Sequence, residues 1–187
     1  MSRSPVVTRV ALPVDVPQLV ELLGELRAVE GRESLAVDPG WPADDVEGRL
    51  YRALADPGYR VVVATEDEVP AGMAVLATAS LGPLTDERAL TVSHLVVRHR
   101  FRRRGIGHAL LAAAAAYADE IGLDHVLVGA YPALREANRF YARLGFAPLS
   151  VRRVAHVSTL RRRLAAPRQR SLIDDISRRR LTRAGRN

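Results

Sequence analysis

Residues 90 to 121 constrain the fold more than any other stretch. Leu90 to Val97 is a β-branched run that reads as a strand. It leads straight into Arg98-His99-Arg100-Phe101-Arg102-Arg103-Arg104-Gly105-Ile106-Gly107. An alanine-rich helix follows, with Ile106, Ala109, Leu110, Ala113, Tyr117 and Ile121 at helical spacing. A strand delivered into a helix through such a turn belongs in a layered α/β architecture. Glycines at 105 and 107 let backbone approach a ligand closely, and the first helical turn offers N–H groups with no intrahelical acceptor. The helix dipole adds roughly half a positive charge there, and Arg102, Arg103 and Arg104 add full ones. Together they suit a pyrophosphate. A dinucleotide-binding turn would carry a third glycine where Leu110 stands. It would also place an acid at the end of the next strand, which reads Gly129-Ala130-Tyr131. On these residues alone, a phosphate cradle and a plain helix start both stay open.

The rest of the chain supplies the other layers. Val6 to Leu12 alternates as a first strand. Asp15 then reads as an N-cap, with Pro17 in the first turn and Val16, Leu19, Val20, Leu23 and Leu26 at helical spacing. Pro42 to Leu54 reads as a second helix, closed by Asp56-Pro57-Gly58. Tyr59 to Thr65, the acidic turn Glu66-Asp67-Glu68 and Ala71 to Ser80 read as a hairpin. Beyond the long helix, Asp124 to Ala130 is a strand and Arg135 to Leu144 a helix ending at Gly145. Phe146 to Leu149 and Val151 to Leu160 read as strands that close the sheet. The expected order is β, α, α, β, β, β, α, β, α, β, β.

Composition removes whole classes of chemistry. The 187 residues include no cysteine, so thiol nucleophiles, disulfides, thiolate zinc sites and iron–sulfur clusters are excluded. All 28 basic residues are arginine, and without lysine there is no lysine-dependent P-loop, kinase site or pyridoxal Schiff base. His94, His99 and His108 lack metal-ligand spacing, so no metal is expected. The longest apolar stretch, near Ala109 to Ala118, is well short of the ~20 residues that span a bilayer. The N-terminus, broken by Pro13 and Asp15, has no uninterrupted apolar core of a signal peptide. A cytoplasmic protein with no membrane partner is expected. The formal net charge is +7, and residues 161–187 carry all of that excess, with ten arginines against Asp174 and Asp175. Ser171 to Ile176 within this tail reads as a short helix. The tail reads as a solvated appendage or as a contact for an anionic partner, nucleic acid included. No aromatic residue follows Phe146, so base stacking is not available to it.

Two blocks carry a resemblance. Leu95-x-Val97, Arg102-x-x-Gly105-x-Gly107 and Leu110-Leu111 resemble motif A of the GNAT superfamily of N-acetyltransferases. Ala137-Asn138-Arg139-Phe140-Tyr141-Ala142-Arg143-Leu144-Gly145-Phe146 resembles that superfamily's motif B. The resemblance implies a mixed, splayed β-sheet flanked by about four helices. The expected organisation is one domain over residues 1–164 with an arginine-rich tail over 165–187, disordered or a short helix.

The resemblance also implies a site. Acetyl-CoA would lie between the motif A strand and the next parallel strand. Backbone at Leu95, Val96 and Val97 would meet the acetyl carbonyl and the pantetheine arm. The N–H groups of Arg103, Arg104, Gly105, Ile106, Gly107 and His108 would hold the pyrophosphate, beside Arg102. Tyr141 would be the general acid that protonates the departing thiolate, a phenol with an unperturbed pKa of ~10 being a donor at neutral pH. Two positions depart from the pattern. Leu134 stands where many members carry a cofactor-contacting asparagine, and Asn138, one turn on, is the nearby substitute. No glutamate base is evident. Strand alternation puts His94 on the face opposite Ser93, Leu95 and Val97 unless a bulge intervenes, so His94 is a base only in the bulged case. Glu30, Glu33, Asp86, Glu87, His156 or a relaying water are the other options.

Acceptor choice would come from the first two helices, the 81–89 loop and the last strands. The acidic segment 30–47, with Trp41, is either an ordinary solvated stretch or a vestibule for a cationic amine. The expected activity is acetyl transfer from acetyl-CoA to a primary amine of a small molecule. A protein or peptide amino group is the alternative, and a non-catalytic CoA-binding module of the same fold is another. A homodimer stays open.

Overall fold

The computed structural model describes residues 5–35, 45–82, 84–130, 134–151, 153 and 155–165; the side chains of residues 26–35 lie outside the description. In chain order the elements are β1 (Val7–Val10), α1 (Val16–Leu35), α2 (Val46–Ala55), β2 (Tyr59–Glu66), β3 (Val69–Ser80), β4 (Arg88–Val97), α3 (Ile106–Glu120), β5 (Val126–Val128), α4 (Arg135–Arg143) and α5 (Val157–Ala165). Single turns of 3-10 helix at Pro13–Asp15 and His99–Phe101 precede α1 and α3. The first nine elements follow the expected order.

The tenth does not. Among the described residues no strand follows β5, so the closing strands expected over Phe146–Leu149 and Val151–Leu160 are not found there. Val157, Leu160 and Leu164 recur at helical spacing and Arg161 to Arg163 are good helix formers, which outweighs the β-branched signal. The chain divides into two compact units, Met1–Ala147 with the sheet and α1 to α4, and Pro148–Asn187 with α5.

Asp15 does not cap α1 as the sequence suggests. Its carboxylate turns back instead, accepting two bonds from the Arg9 guanidinium at 2.7 and 2.8 Å and one from the Leu12 N–H at 2.7 Å. This buried anion pins β1 to the turn before α1, and the Arg9 bonds hold its carboxyl below the usual carboxylate range. The α2 helix has a side-chain cap: Asp45 accepts from Gly48 N–H at 3.1 Å and pairs with Arg52 at 2.8 Å. The expected start of that helix at Pro42 lies outside the described residues, as do Trp41, Tyr131 and the tail helix 171–176.

The sheet runs β1-β2-β3-β4-β5, antiparallel except for the parallel β4–β5 pair. It separates two cores. On one face Leu90 and Val92 of β4 join Val62, Ala64, Ala74 and Leu76 with Ile106, Leu110, Ala114 and Ala118 of α3. Those four α3 residues fall one turn apart, and small alanines seat the helix closely on the sheet. On the other face Val61, Val63, Met73, Val75 and Val96 meet Leu19, Leu22 and Leu23 of α1 and Leu50 of α2.

A bulge interrupts β4. Val75 pairs with Ser93 but Met73 pairs with Val96, so β4 carries one residue more than β3 across this step. His94 lies there with φ +50°, a left-handed backbone in a strand. Beyond it Leu95 and Val97 pack on the same core as Leu90 and Val92, while Val96 turns to the opposite core. Simple alternation from Ser93 to Val97 therefore fails, and the bulged case is the one the chain adopts.

Candidate active site

The parallel ladder between β4 and β5 ends at Val92↔Val128. β4 continues to Val97, paired there with β3 alone among the described residues. Leu95, Val96 and Val97 thus line the open side of a strand whose neighbour has stopped, just past the bulge. A bulge also adds local twist to the strand that carries it. Tyr141 of α4 sits in the same core cluster as Leu95, Val97 and Val128.

The turn that follows is held open by its backbone. Arg102 is extended, Arg103 has φ +63° and Gly105 has φ +89°. The first bond of α3 runs from the Ala109 N–H to the Gly105 carbonyl at 2.9 Å. The N–H groups of Ile106, Gly107 and His108 therefore precede the first intrahelical donor. A Cβ at Gly105 would meet nothing within 4 Å, so its glycine answers a backbone demand. Gly107 answers a packing one: a Cβ there would lie 3.3 Å from the Phe140 ring, where α4 crosses the start of α3.

Each arginine of the turn has a distinct place. Arg102 turns back, its Nε 3.4 Å from the Val97 carbonyl. Arg103 makes an exposed pair with Glu136 at 2.8 Å. Arg104 reaches Glu66 at the end of β2, Nη1 to Oε1 3.3 Å. His108 is exposed.

Tyr141 is 8% exposed, with its ring 5.4 Å from Phe140 and edge-on to Phe146 at 5.7 Å. Burial pushes the phenol above its ordinary value, so it carries its proton through the physiological range. The Asn138 amide donates to the Leu134 carbonyl at 2.9 Å, one turn back in its own helix. His94 is half-buried within the bulge. Asp86 and Glu87 are exposed on the β3–β4 loop. His156, in the second unit, has its Nδ1 2.8 Å from Ser158 Oγ. The side chains of Glu30 and Glu33 lie outside the description. Among the described residues no three metal-ligating side chains cluster, and no helix is long and apolar enough to cross a membrane.

Three residues that support this site escape a reading of the sequence. Gly72 of β3 lies under the start of α3, where a Cβ would meet Ile106 Cγ2 at 2.7 Å and the Val96 carbonyl oxygen at 2.8 Å. Glu66 looks like part of a solvated acidic turn but is buried. Asp67 and Glu68 bend the chain away with φ +52° and +63°, a pair of left-handed residues between antiparallel strands. Glu25 of α1 accepts the His99 N–H at 3.2 Å and lies 3.4 Å from Arg98 Nε, tying α1 to the base of the turn. Only proximity in space, not any local motif, marks these three.

The family model for the GNAT acetyltransferases matches residues 25–146, most of the chain. The chain belongs to the GNAT acetyltransferase family, whose members use acetyl-CoA as donor. Solved structures agree on the fold. A ribosomal-protein-alanine N-acetyltransferase from Brucella melitensis biovar Abortus 2308 is 20% identical, with 81% of this chain and 99% of that one covered at a TM-score of 0.64. An aminoglycoside acetyltransferase from an uncultured soil metagenomic sample is 20% identical, covering 81% and 95% at 0.62. A transcriptional regulator from Bacillus halodurans C-125 is 22% identical, covering 81% and 99% at 0.66. No curated protein matches the chain in sequence.

Proposed function

We propose that this chain moves an acetyl group from acetyl-CoA directly to a primary amine of a small molecule. One observation carries the reading: the strand that outruns its parallel partner leads, within a few residues, into a helix start lined by N–H groups and arginines. A thioester arm in the gap and a pyrophosphate at the helix start are thereby joined in one ligand. The backbone of Leu95 to Val97 takes the arm and the turn from Arg102 to His108 takes the phosphates. The residues fit the donor, since Gly105 supplies the left-handed backbone and the turn is cationic. The proposed catalytic domain is 1–164, with the tail 165–187 outside the chemistry.

In this reaction the amine, freed of its proton, attacks the thioester carbonyl. The carbon–sulfur bond then breaks, and the Tyr141 phenol gives its proton to the departing sulfur. A phenol kept protonated by burial is suited to that role. His94 in the bulge, or an ordered water, takes the proton from the amine. Asn138 is a weaker candidate for contact with the donor, because its amide already serves Leu134.

The test is thiol release from acetyl-CoA against a panel of amines and basic peptides, with Tyr141→Phe alongside. A chain without cysteine adds no thiol background, and without lysine any acetyl-lysine formed belongs to a substrate. Turnover that requires a small amine and falls about 10²-fold or more in the variant supports the reading. Turnover on peptides alone moves the acceptor to a protein amino group. Binding of acetyl-CoA without turnover on any amine supports a module that has kept the fold without the chemistry.

A further inference from the structure

We infer that Glu66 is a positioning residue: it holds the Arg104 guanidinium at the cofactor turn so that its remaining donors face the donor's phosphates. This rests on the reading of the 102–108 turn as a phosphate site. Glu66 ends β2, and its side chain is 7% exposed. Oε1 accepts from Arg104 Nη1 at 3.3 Å; Oε2 is buried with no hydrogen-bond partner among the described residues.

A buried carboxylate satisfied on one oxygen is costly, and an apolar residue would fill the same place at less expense. What Glu66 supplies is the place of Arg104. The guanidinium is held on one side by Glu66 and lies 5.6 Å from the Phe101 ring on another, yet half of its side chain stays exposed. The contact occupies a single terminal nitrogen. A guanidinium is a planar fork, so fixing one arm orients the others. Arg103 contrasts with it: Arg103 pairs with the equally exposed Glu136, where water and salt screen the contact. The anchored arginine loses less freedom on meeting an anion.

The experiment is calorimetric titration of the full chain with CoA, for wild type, Arg104→Gln, Glu66→Gln and the double variant, with thermal melting of each. Arg104→Gln should weaken CoA about five- to tenfold and Glu66→Gln about threefold, and the double variant should bind no worse than Arg104→Gln. Melting temperature should stay level or rise in Glu66→Gln, because a half-satisfied buried charge is gone. Equal or tighter binding by Glu66→Gln would mean that Glu66 competes for Arg104, and would overturn the inference. So would a loss in Glu66→Gln that persists undiminished on the Arg104→Gln background. If Glu66→Gln fails to fold, Arg104→Lys decides: a point charge cannot serve carboxylate and phosphate in the same way, so wild-type CoA affinity in that variant refutes the fork. A wild type that binds no CoA defeats the phosphate-site reading itself. A wild type that binds, with Arg104→Gln unchanged, defeats this inference alone.

Discussion

Gly72 gives the sharpest test of how the site is built. A methyl group at this position meets Ile106 Cγ2 at 2.7 Å, the Val96 carbonyl oxygen at 2.8 Å and Leu110 Cδ1 at 3.2 Å. Carbon atoms rest at about 3.5–4.0 Å, so the overlap with Ile106 is about 1 Å. Neither neighbour gives way cheaply. The Val96 oxygen is backbone in the β3–β4 ladder, and Ile106 is the first, fully packed residue of α3. Overpacking of this kind costs about 1–3 kcal/mol. In a domain of this size that is a fall in melting temperature of about 3–10 °C. Gly24, in α1, is the matched control, because a Cβ there meets nothing within 4 Å. Gly24→Ala should gain up to about 1 kcal/mol from helix propensity. The same chemical change therefore has opposite signs at two glycines, read by urea and thermal unfolding. Because Ile106 opens the helix whose start forms the turn, Gly72→Ala should also weaken CoA binding while Gly24→Ala does not. A Gly72→Ala protein that unfolds within about 0.5 kcal/mol of wild type refutes the close-packing argument.

Other outcomes follow from the same geometry. Asp15→Asn removes the anion shared by Arg9 and Leu12, and should cost about 1–3 kcal/mol at neutral pH. The depressed carboxyl of Asp15 stabilises the fold above its unfolded-state pKa of about 4 and loses that contribution as pH falls through its lower folded value. Urea unfolding against pH should therefore show a flatter acid limb in Asp15→Asn than in wild type, and parallel limbs would contradict the pairing. Tyr141→Ala should lose about 3–5 kcal/mol by leaving a cavity between Phe140 and Phe146, whereas Tyr141→Phe should melt close to wild type and lose turnover alone. Gly105→Ala should cost about 1–2 kcal/mol for its left-handed backbone, with impaired CoA binding by calorimetry. Gly107→Ala asks the Phe140 ring to shift by a few tenths of an ångström and should be the milder of the two.

The alternation of elements up to α4 and the turn from Arg102 to His108 are legible in the sequence because both rest on local rules. Spacing of apolar residues marks α3 and α4, and glycines mark the turn and the end of α4 at Gly145. What escapes is set by pairing across the sheet. The bulge at His94 exists only relative to β3, so nothing in Ser93-His94-Leu95 announces it. Glu66 reads as one of three acids in a turn, yet it is buried, and its partner Arg104 lies far away in sequence. Asp15 has the credentials of a cap and spends its carboxylate on Arg9, because β1 brings a guanidinium within reach. Val157 to Leu160 mixes β-branched residues with helical spacing, and the helical arginines beyond it tip the balance.

The extra residue at His94 acts on β4 as a frameshift acts on a message. Ahead of it, even-numbered positions feed the core beneath α3; after it, odd-numbered ones do. A substitution at 94 that accepts the left-handed backbone leaves that frame in place, whereas deletion of the residue would exchange the surroundings of Leu95, Val96 and Val97 in one step. The strand can therefore tolerate many spellings but a single length. Related chains that differ at every letter of this segment would still be bound to keep its count.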